Sequence, residues 1–177
     1  LSSGSHTFST DNKVNTVENF IAHSSGSTLV LTGQTEGFTL TGGASNDDLT
    51  GGNADDIITG GAGNDTLVGG TGNDTFNVDS GTDIITLLGG DNSGAGGDSD
   101  VLVVSSGAIV NASNINSFTA TGASSNSATA NLSTKAAGGT INMAASNSGA
   151  YNINGGAGDD ILTGGSGNDV FTVAATT

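Results

Sequence analysis

Between Gly42 and Thr86 the chain repeats one nine-residue unit five times, and each time an aspartate falls on position six: Asp47, Asp56, Asp65, Asp74 and Asp83. GGAGNDTLV and GGTGNDTFN stand side by side from Gly60 to Asn77. Position eight is apolar in every unit: Leu49, Ile58, Leu67, Phe76 and Ile85. The same frame carried upstream to Gly33 and Ser24 adds Leu40 and Leu31, so one register is expected to run unbroken over residues 24–86. A second ladder starts at Gly155 and Gly164, with Asp160 and Asp169 at position six and Leu162 and Phe171 at position eight. A fixed period held this long points to a repeat architecture before any other reading.

The unit has a simple physical content. Its glycines suit a tight turn. Its last three residues, such as Thr66, Leu67 and Val68, suit a short strand whose middle residue points inward. Two units then make one coil of a flattened solenoid, and the position-eight residues stack into a thin core. Turns on the same side come from units two apart. The expected fold is all-β, a parallel β-roll or β-solenoid of two repeat blocks. The expected organisation is a lead-in over residues 1–23, a first block over 24–86, an Asn/Ser/Thr/Ala-rich β connecting segment over 87–148, and a second block over 149–177 that continues past Thr177.

Charge narrows the function. Seventeen acidic residues face two lysines, for a formal net charge of −15. Nucleic-acid binders need the opposite sign, and an anionic membrane surface would repel this chain. No apolar run approaches the ~18 residues of a membrane span, so direct membrane insertion is not expected. Without cysteine there is neither a disulfide framework nor a thiolate metal site. There is no H-E-x-x-H and no G-x-S-x-G, so no catalytic residue is expected within the chain. His6 and His23 have no metal-binding partner at useful spacing. Stacked turns would set the position-six carboxylates a strand spacing apart, ~4.8 Å. Such a stack repels itself unless cations sit between the turns. Oxygen is the only ligand type on offer, and a flexible oxygen cage favours Ca²⁺ over Mg²⁺. The seven position-six aspartates, Asp160 and Asp169 included, are the candidate metal ligands.

GGAGNDTLV, GGTGNDTFN, GGAGDDILT and GGSGNDVFT match G-G-x-G-x-D-x-U-x at every fixed position. The ladder resembles the repeats-in-toxin (RTX) family of calcium-binding nonapeptide repeats. GGASNDDLT and GGNADDIIT depart at position four, with Ser45 and Ala54, and VDSGTDIIT keeps only Gly81, Asp83 and Ile85. The resemblance implies that one turn supplies its position-six carboxylate and the carbonyls of positions two and four. The turn two units later supplies its own carboxylate and the carbonyls of positions one and three. Carried over, at least three Ca²⁺ sites result. Asp47 and Asp65 join the carbonyls of Gly43, Ser45, Gly60 and Ala62. Asp56 and Asp74 join those of Gly52, Ala54, Gly69 and Thr71. Asp65 and Asp83 join those of Gly61, Gly63, Val78 and Ser80, so that Asp65 bridges two ions. Asp160 and Asp169 fall on opposite edges without full partners, and their other halves are expected beyond Thr177 or not at all.

The resemblance also implies a role. The expected function is a non-catalytic calcium-binding structural module of a secreted or cell-surface bacterial protein, such as an adhesin, surface layer or extracellular filament. Type I secretion would deliver it unfolded, and extracellular calcium would fold it. Its partners would be calcium and, through the open solenoid ends, copies of itself or other cell-surface components. Two other readings stay open. One is the calcium-binding tail of a secreted enzyme or toxin whose active site lies elsewhere. The other is an ice- or ligand-binding face at positions three and five, where only Thr71 and Asn73 form a clean pair.

Overall fold

The computed structural model describes residues 4–7, 19–22, 25–86 and 100–174. Lys13, His23 and Ser24, most of the expected lead-in and the start of the connecting segment lie outside the described residues. In a three-residue strand the middle side chain faces one way and its neighbours the other. Here the middle residue is buried and the outer two face solvent, as in Thr66-Leu67-Val68. Each such strand of the first repeat block thus contributes one core residue, and burial needs a neighbour above and below. Parallel stacking meets that need: every strand pairing is parallel, and no helix forms among the described residues. The fold is an all-β solenoid.

Three sheets make its walls. The longest stacks nine strands in chain order: Gly4–Thr7, Ser27–Val30, Asp48–Thr50, Thr66–Val68, Gly81–Thr86, Ala108–Ile115, Thr129–Thr134, Tyr151–Gly155 and Val170–Val173. Opposite it run Asn19–Ile21, Thr39–Thr41, Ile57–Thr59, Thr75–Val78, Val101–Val104 and Ser125–Asn126. A third wall, Ser117–Thr119, Thr140–Asn142 and Ile161–Thr163, appears only in the later coils. Inside, Leu29, Leu49, Leu67, Ile85, Ala112, Leu132 and Ile153 form one column of the core. Phe20, Leu40, Ile58, Phe76 and Leu102 form the facing column. All of these are buried.

The two-unit coil holds from Leu40 to Ile85: Leu40 pairs with Ile58, Leu49 with Leu67, Ile58 with Phe76 and Leu67 with Ile85. It does not hold upstream, where the unbroken register over 24–86 is corrected. Leu29, not Leu31, is in register with Leu49, and Phe20 with Leu40. Each of these steps is longer than two repeat units, and the extra two residues lie in the corner between Val30 and Thr39. That corner carries no G-G-x-G-x-D, closes with a Gln34 N–H to Leu31 carbonyl bond of 3.0 Å and buries both Leu31 and Phe38. Leu31 is a core residue, but of a corner rather than of the ladder.

Longer coils follow Ile85. Phe118 pairs with Ile141 and Leu132 with Ile153, both steps longer than two repeat units, before Ile153 and Phe171 restore the two-unit step. A longer coil needs another wall, and the third sheet supplies it. Corners here close on themselves as β-turns, with i to i+3 bonds from Ala108 to Ser105, Ser124 to Thr121, Gly138 to Lys135 and Ser146 to Met143. Side-chain ladders add to the stack: Asn152 donates to Asn131, and Asn131 to Asn111, each at 2.8 Å. At the last coil the position-eight residue Phe171 is 47% exposed.

Candidate metal centre

Positions six and eight share a face because side chains alternate with period two. An apolar residue at eight therefore carries the aspartate at six inward with it. Asp47, Asp56, Asp65, Asp74 and Asp83 are all buried, none more than 1% exposed. Aspartates are rarely buried unless paired, so five of them in five successive units require a compensating interaction.

Stacking places them in two columns on opposite edges. Asp47, Asp65 and Asp83 stand on one edge. The Asp47 N–H donates to Asp65 Oδ1 at 2.8 Å, and the Asp65 N–H to Asp83 Oδ1 at 2.9 Å. Asp56 and Asp74 stand on the other, joined by the Asp56 N–H at 2.9 Å. The Ser27 and Phe38 amides top the columns, donating to Asp47 and Asp56 at 2.6 and 2.7 Å. The second oxygens divide into two classes. Those of Asp47 and Asp56 accept the Gly43 and Gly52 N–H groups at 2.7 Å. Those of Asp65 and Asp83 are buried without a hydrogen-bond partner.

The electrostatics follow from this placement. Burial pushes the Asp65 carboxyl up to about 6, and the charges of Asp83, Asp47 and Asp48 push the same way against the Asp47 N–H bond. Burial also raises Asp56 and Asp83. Position one explains itself: a Cβ on Gly60 would lie 2.6 Å from Asp65 Oδ2, and one on Gly42 would lie 2.9 Å from Asp47 Oδ2. Glycine leaves open the space beside the carboxylates of Asp47, Asp56, Asp65 and Asp74, whereas the unit of Asp83 has Val78 at position one.

These corners match a family described as RTX calcium-binding nonapeptide repeat (4 copies), over residues 39–67, 59–93 and 147–174. The chain carries RTX calcium-binding repeats. No curated protein and no solved structure matches it. RTX repeats bind calcium, and the orphaned oxygens of Asp65 and Asp83, with the space that Gly60 leaves beside Asp65, suit a hard cation. No three carboxylate or imidazole groups converge among the described residues, so an ion here needs backbone carbonyls as well. The carbonyls of Gly43 and Gly52 accept the Ala62 and Thr71 amides at 3.0 and 3.3 Å, that of Gly61 accepts the Ser80 hydroxyl at 3.4 Å, and that of Val78 accepts the Ser105 amide at 2.9 Å. A carbonyl oxygen has two lone pairs, so one such bond does not by itself bar a carbonyl from an ion. Ser45, Ala54, Gly60, Ala62, Gly63, Gly69, Thr71 and Ser80 lie in the same RTX corners.

One position-six residue escaped the sequence frame. The Asp74 N–H donates to Asp100 Oδ1 at 2.9 Å, and the Val101 N–H donates to the Asp74 carbonyl at 2.7 Å. Bonds of the same two kinds join Asp56 to the Asp74 coil, from the Asp56 N–H to Asp74 Oδ1 and from the Thr75 N–H to the Asp56 carbonyl. Asp100 is buried and continues the second column. Its signal was Asp100-Val101-Leu102, the D-x-U of the repeat, displaced because it follows Asp83 at nearly twice the spacing of the repeat.

The second RTX block is built differently. Asp160 Oδ1 accepts the Gly139 N–H at 3.0 Å and Asp169 Oδ1 the Tyr151 N–H at 2.8 Å. The residues one coil upstream are thus a glycine and a tyrosine, not aspartates. The Tyr151 ring is buried, with its hydroxyl 2.6 Å from Ser146 Oγ. His6 occupies the inner column of the first strand, in register with Leu29.

The raised carboxyls fix the pH response of the metal-free form. A folded-state pKa near 6 for Asp65, against ~3.9 when unfolded, means that the fold holds a proton the unfolded chain releases. That stabilisation is full below the unfolded value and is lost as pH rises through 6. In chelator the protein should gain β signal and urea resistance at pH 5 relative to pH 7.5. With calcium the trend should reverse, because protons then compete with the ion. Equal urea midpoints at the two pH values in chelator would contradict this.

Proposed function

We propose that this chain is a non-catalytic structural module that folds around calcium in a secreted or cell-surface protein. The observation that carries the reading is the pair of buried aspartate columns, with second oxygens at Asp65 and Asp83 that no hydrogen bond satisfies. Each unmatched buried charge costs several kcal/mol, and a divalent cation between coils turns that cost into binding energy. Asp47 with Asp65, Asp65 with Asp83 and Asp56 with Asp74 are the proposed pairs. Two carboxylates and four carbonyls give about six oxygens, at the low end of what Ca²⁺ takes. Asp74 with Asp100 adds a fourth pair of carboxylates. Asp160 and Asp169 each lack an aspartate upstream, and they are proposed as half-sites. Calcium is scarce inside cells and abundant outside, which suits a module that stays unfolded until exported.

Because an ion that binds only the folded chain stabilises it by mass action, the test is a far-UV circular dichroism titration from a chelated start at pH 7.5. A cooperative rise of β signal with calcium is expected, with equilibrium dialysis giving three or four ions bound. Full β signal in chelator, unchanged by calcium, would refute the reading.

A further inference from the structure

Position five of the repeat is free in the family pattern, yet here it is bonded in a regular way. The Asn64 N–H donates to Asn46 Oδ1 at 2.9 Å, and the Thr82 N–H donates to Asn64 Oδ1 at 2.8 Å. On the other edge the Asn73 N–H donates to Asp55 Oδ1 at 2.7 Å. The sense is opposite to that of the neighbouring aspartate. At position six the upstream amide donates to the downstream side chain, whereas at position five the downstream amide donates to the upstream side chain. In these three pairs of corners the coils therefore share two bonds of opposed polarity at adjacent positions.

We infer that Asn46 and Asn64 are positioning residues for the metal ligands beside them. The inference rests on the calcium reading of these corners. Around the position-six bond the backbone already ties the coils, through the Ala62 amide to the Gly43 carbonyl and the Thr66 amide to the Asp47 carbonyl on one pair and the Ile84 amide to the Asp65 carbonyl on the next, but none of these bonds holds the side of the corner where position five stands. The opposed bond at position five ties that side down and so sharpens the placement of Asp47 against Asp65 and of Asp65 against Asp83. Asparagine does this as a neutral acceptor, where a carboxylate at the same place would add to the repulsion around Asp65. Asp55 shows that a carboxylate oxygen can make the same bond, and its charge is one of the causes that raise Asp56. Neither asparagine supplies an oxygen to the ion: both are exposed, on the outer side of the corner, while the aspartates face inward.

The bond is directional, and so is the test. Asn64→Ala removes the acceptor of the Thr82 amide. Thr82→Ala leaves its amide in place and removes only a side chain outside the ladder. In calcium titrations followed by circular dichroism and equilibrium dialysis, Asn64→Ala should raise the calcium midpoint about fivefold, the effect of one ordinary hydrogen bond, with the number of ions at saturation unchanged. Thr82→Ala should match the parent protein, and Asn64→Asp should recover part of the lost affinity, more fully in high salt where the added charge is screened. Amide exchange in the folded protein should show the Thr82 N–H losing protection in Asn64→Ala alone. An unchanged midpoint in Asn64→Ala, an equal shift in Thr82→Ala, or one fewer bound ion would each overturn the positioning role. If the parent protein itself ignores calcium, the calcium reading fails instead. Thr82 exchange, measured in whichever state is folded, then decides whether the position-five bond exists.

Discussion

Asp65→Ala reverses the sign of its effect with calcium. In the proposed arrangement Asp65 serves two ions, one shared with Asp47 and one with Asp83, so its loss removes a ligand from both. At pH 7.5 and saturating calcium the variant should bind two fewer ions and need at least about tenfold more calcium to fold, a tenfold change being about 1.4 kcal/mol. Asp83→Ala removes a ligand from one pair and should cost one ion. In chelator the outcome inverts. There Asp65 is a buried carboxylate raised to about 6, pressed by Asp83, Asp47 and Asp48, with one oxygen unmatched. Removing it loses the Asp47 N–H bond but relieves the larger cost of a buried, crowded carboxylate, so metal-free Asp65→Ala should hold more β structure than the parent. Asp48→Ala, an exposed carboxylate on the sheet face, should leave the ion count unchanged. Dialysis and circular dichroism on these variants decide the matter. Equal ion counts in Asp65→Ala and Asp83→Ala would refute the bridging role, and a loss of β structure in chelator would refute the repulsion.

Gly81→Ala should be the most damaging change outside the ligands. Gly81 is at position four of the unit that has lost most of the repeat, and its φ of +103° lies where side chains are strained. A Cβ there would also run into the carbonyl oxygen of Gly63, one coil upstream. That oxygen belongs to backbone packed in register and cannot yield without parting the coils. Strain alone costs about 1–2 kcal/mol. With the collision added, the total should exceed about 4 kcal/mol, the range reached by few single substitutions. Gly107→Ala separates the two causes, because Gly107 has a φ of +90° but nothing near its Cβ position. Urea denaturation in calcium should show Gly107→Ala shifted by the strain alone and Gly81→Ala shifted by at least twice as much. Equal shifts would mean that the approach of the two coils contributes nothing.

The degenerate unit VDSGTDIIT shows why the repeat was legible. It keeps Gly81, Asp83 and Ile85, and these are the residues the stack demands: a backbone in close approach, a carboxylate in the column and a side chain in the core. Turn, strand and inward face are all made from contiguous residues, so spacing alone implied the roll, its two-unit coil from Leu40 to Ile85 and the two aspartate columns. Features that depend on which coil lies alongside were not readable in this way. Leu29 replaces Leu31 in the ladder because a corner two residues longer still leaves Leu31 and Leu40 one unit apart. Asp100 joins Asp74 through a backbone bond, and a fixed frame cannot count across the longer step from Asp83. The third wall arises from coils longer than two units, whose extra length must turn another corner. Local chemistry is written in neighbouring residues, whereas register, partner and wall number are settled by hydrogen bonds between residues a whole coil apart, and those form only when the coils stack.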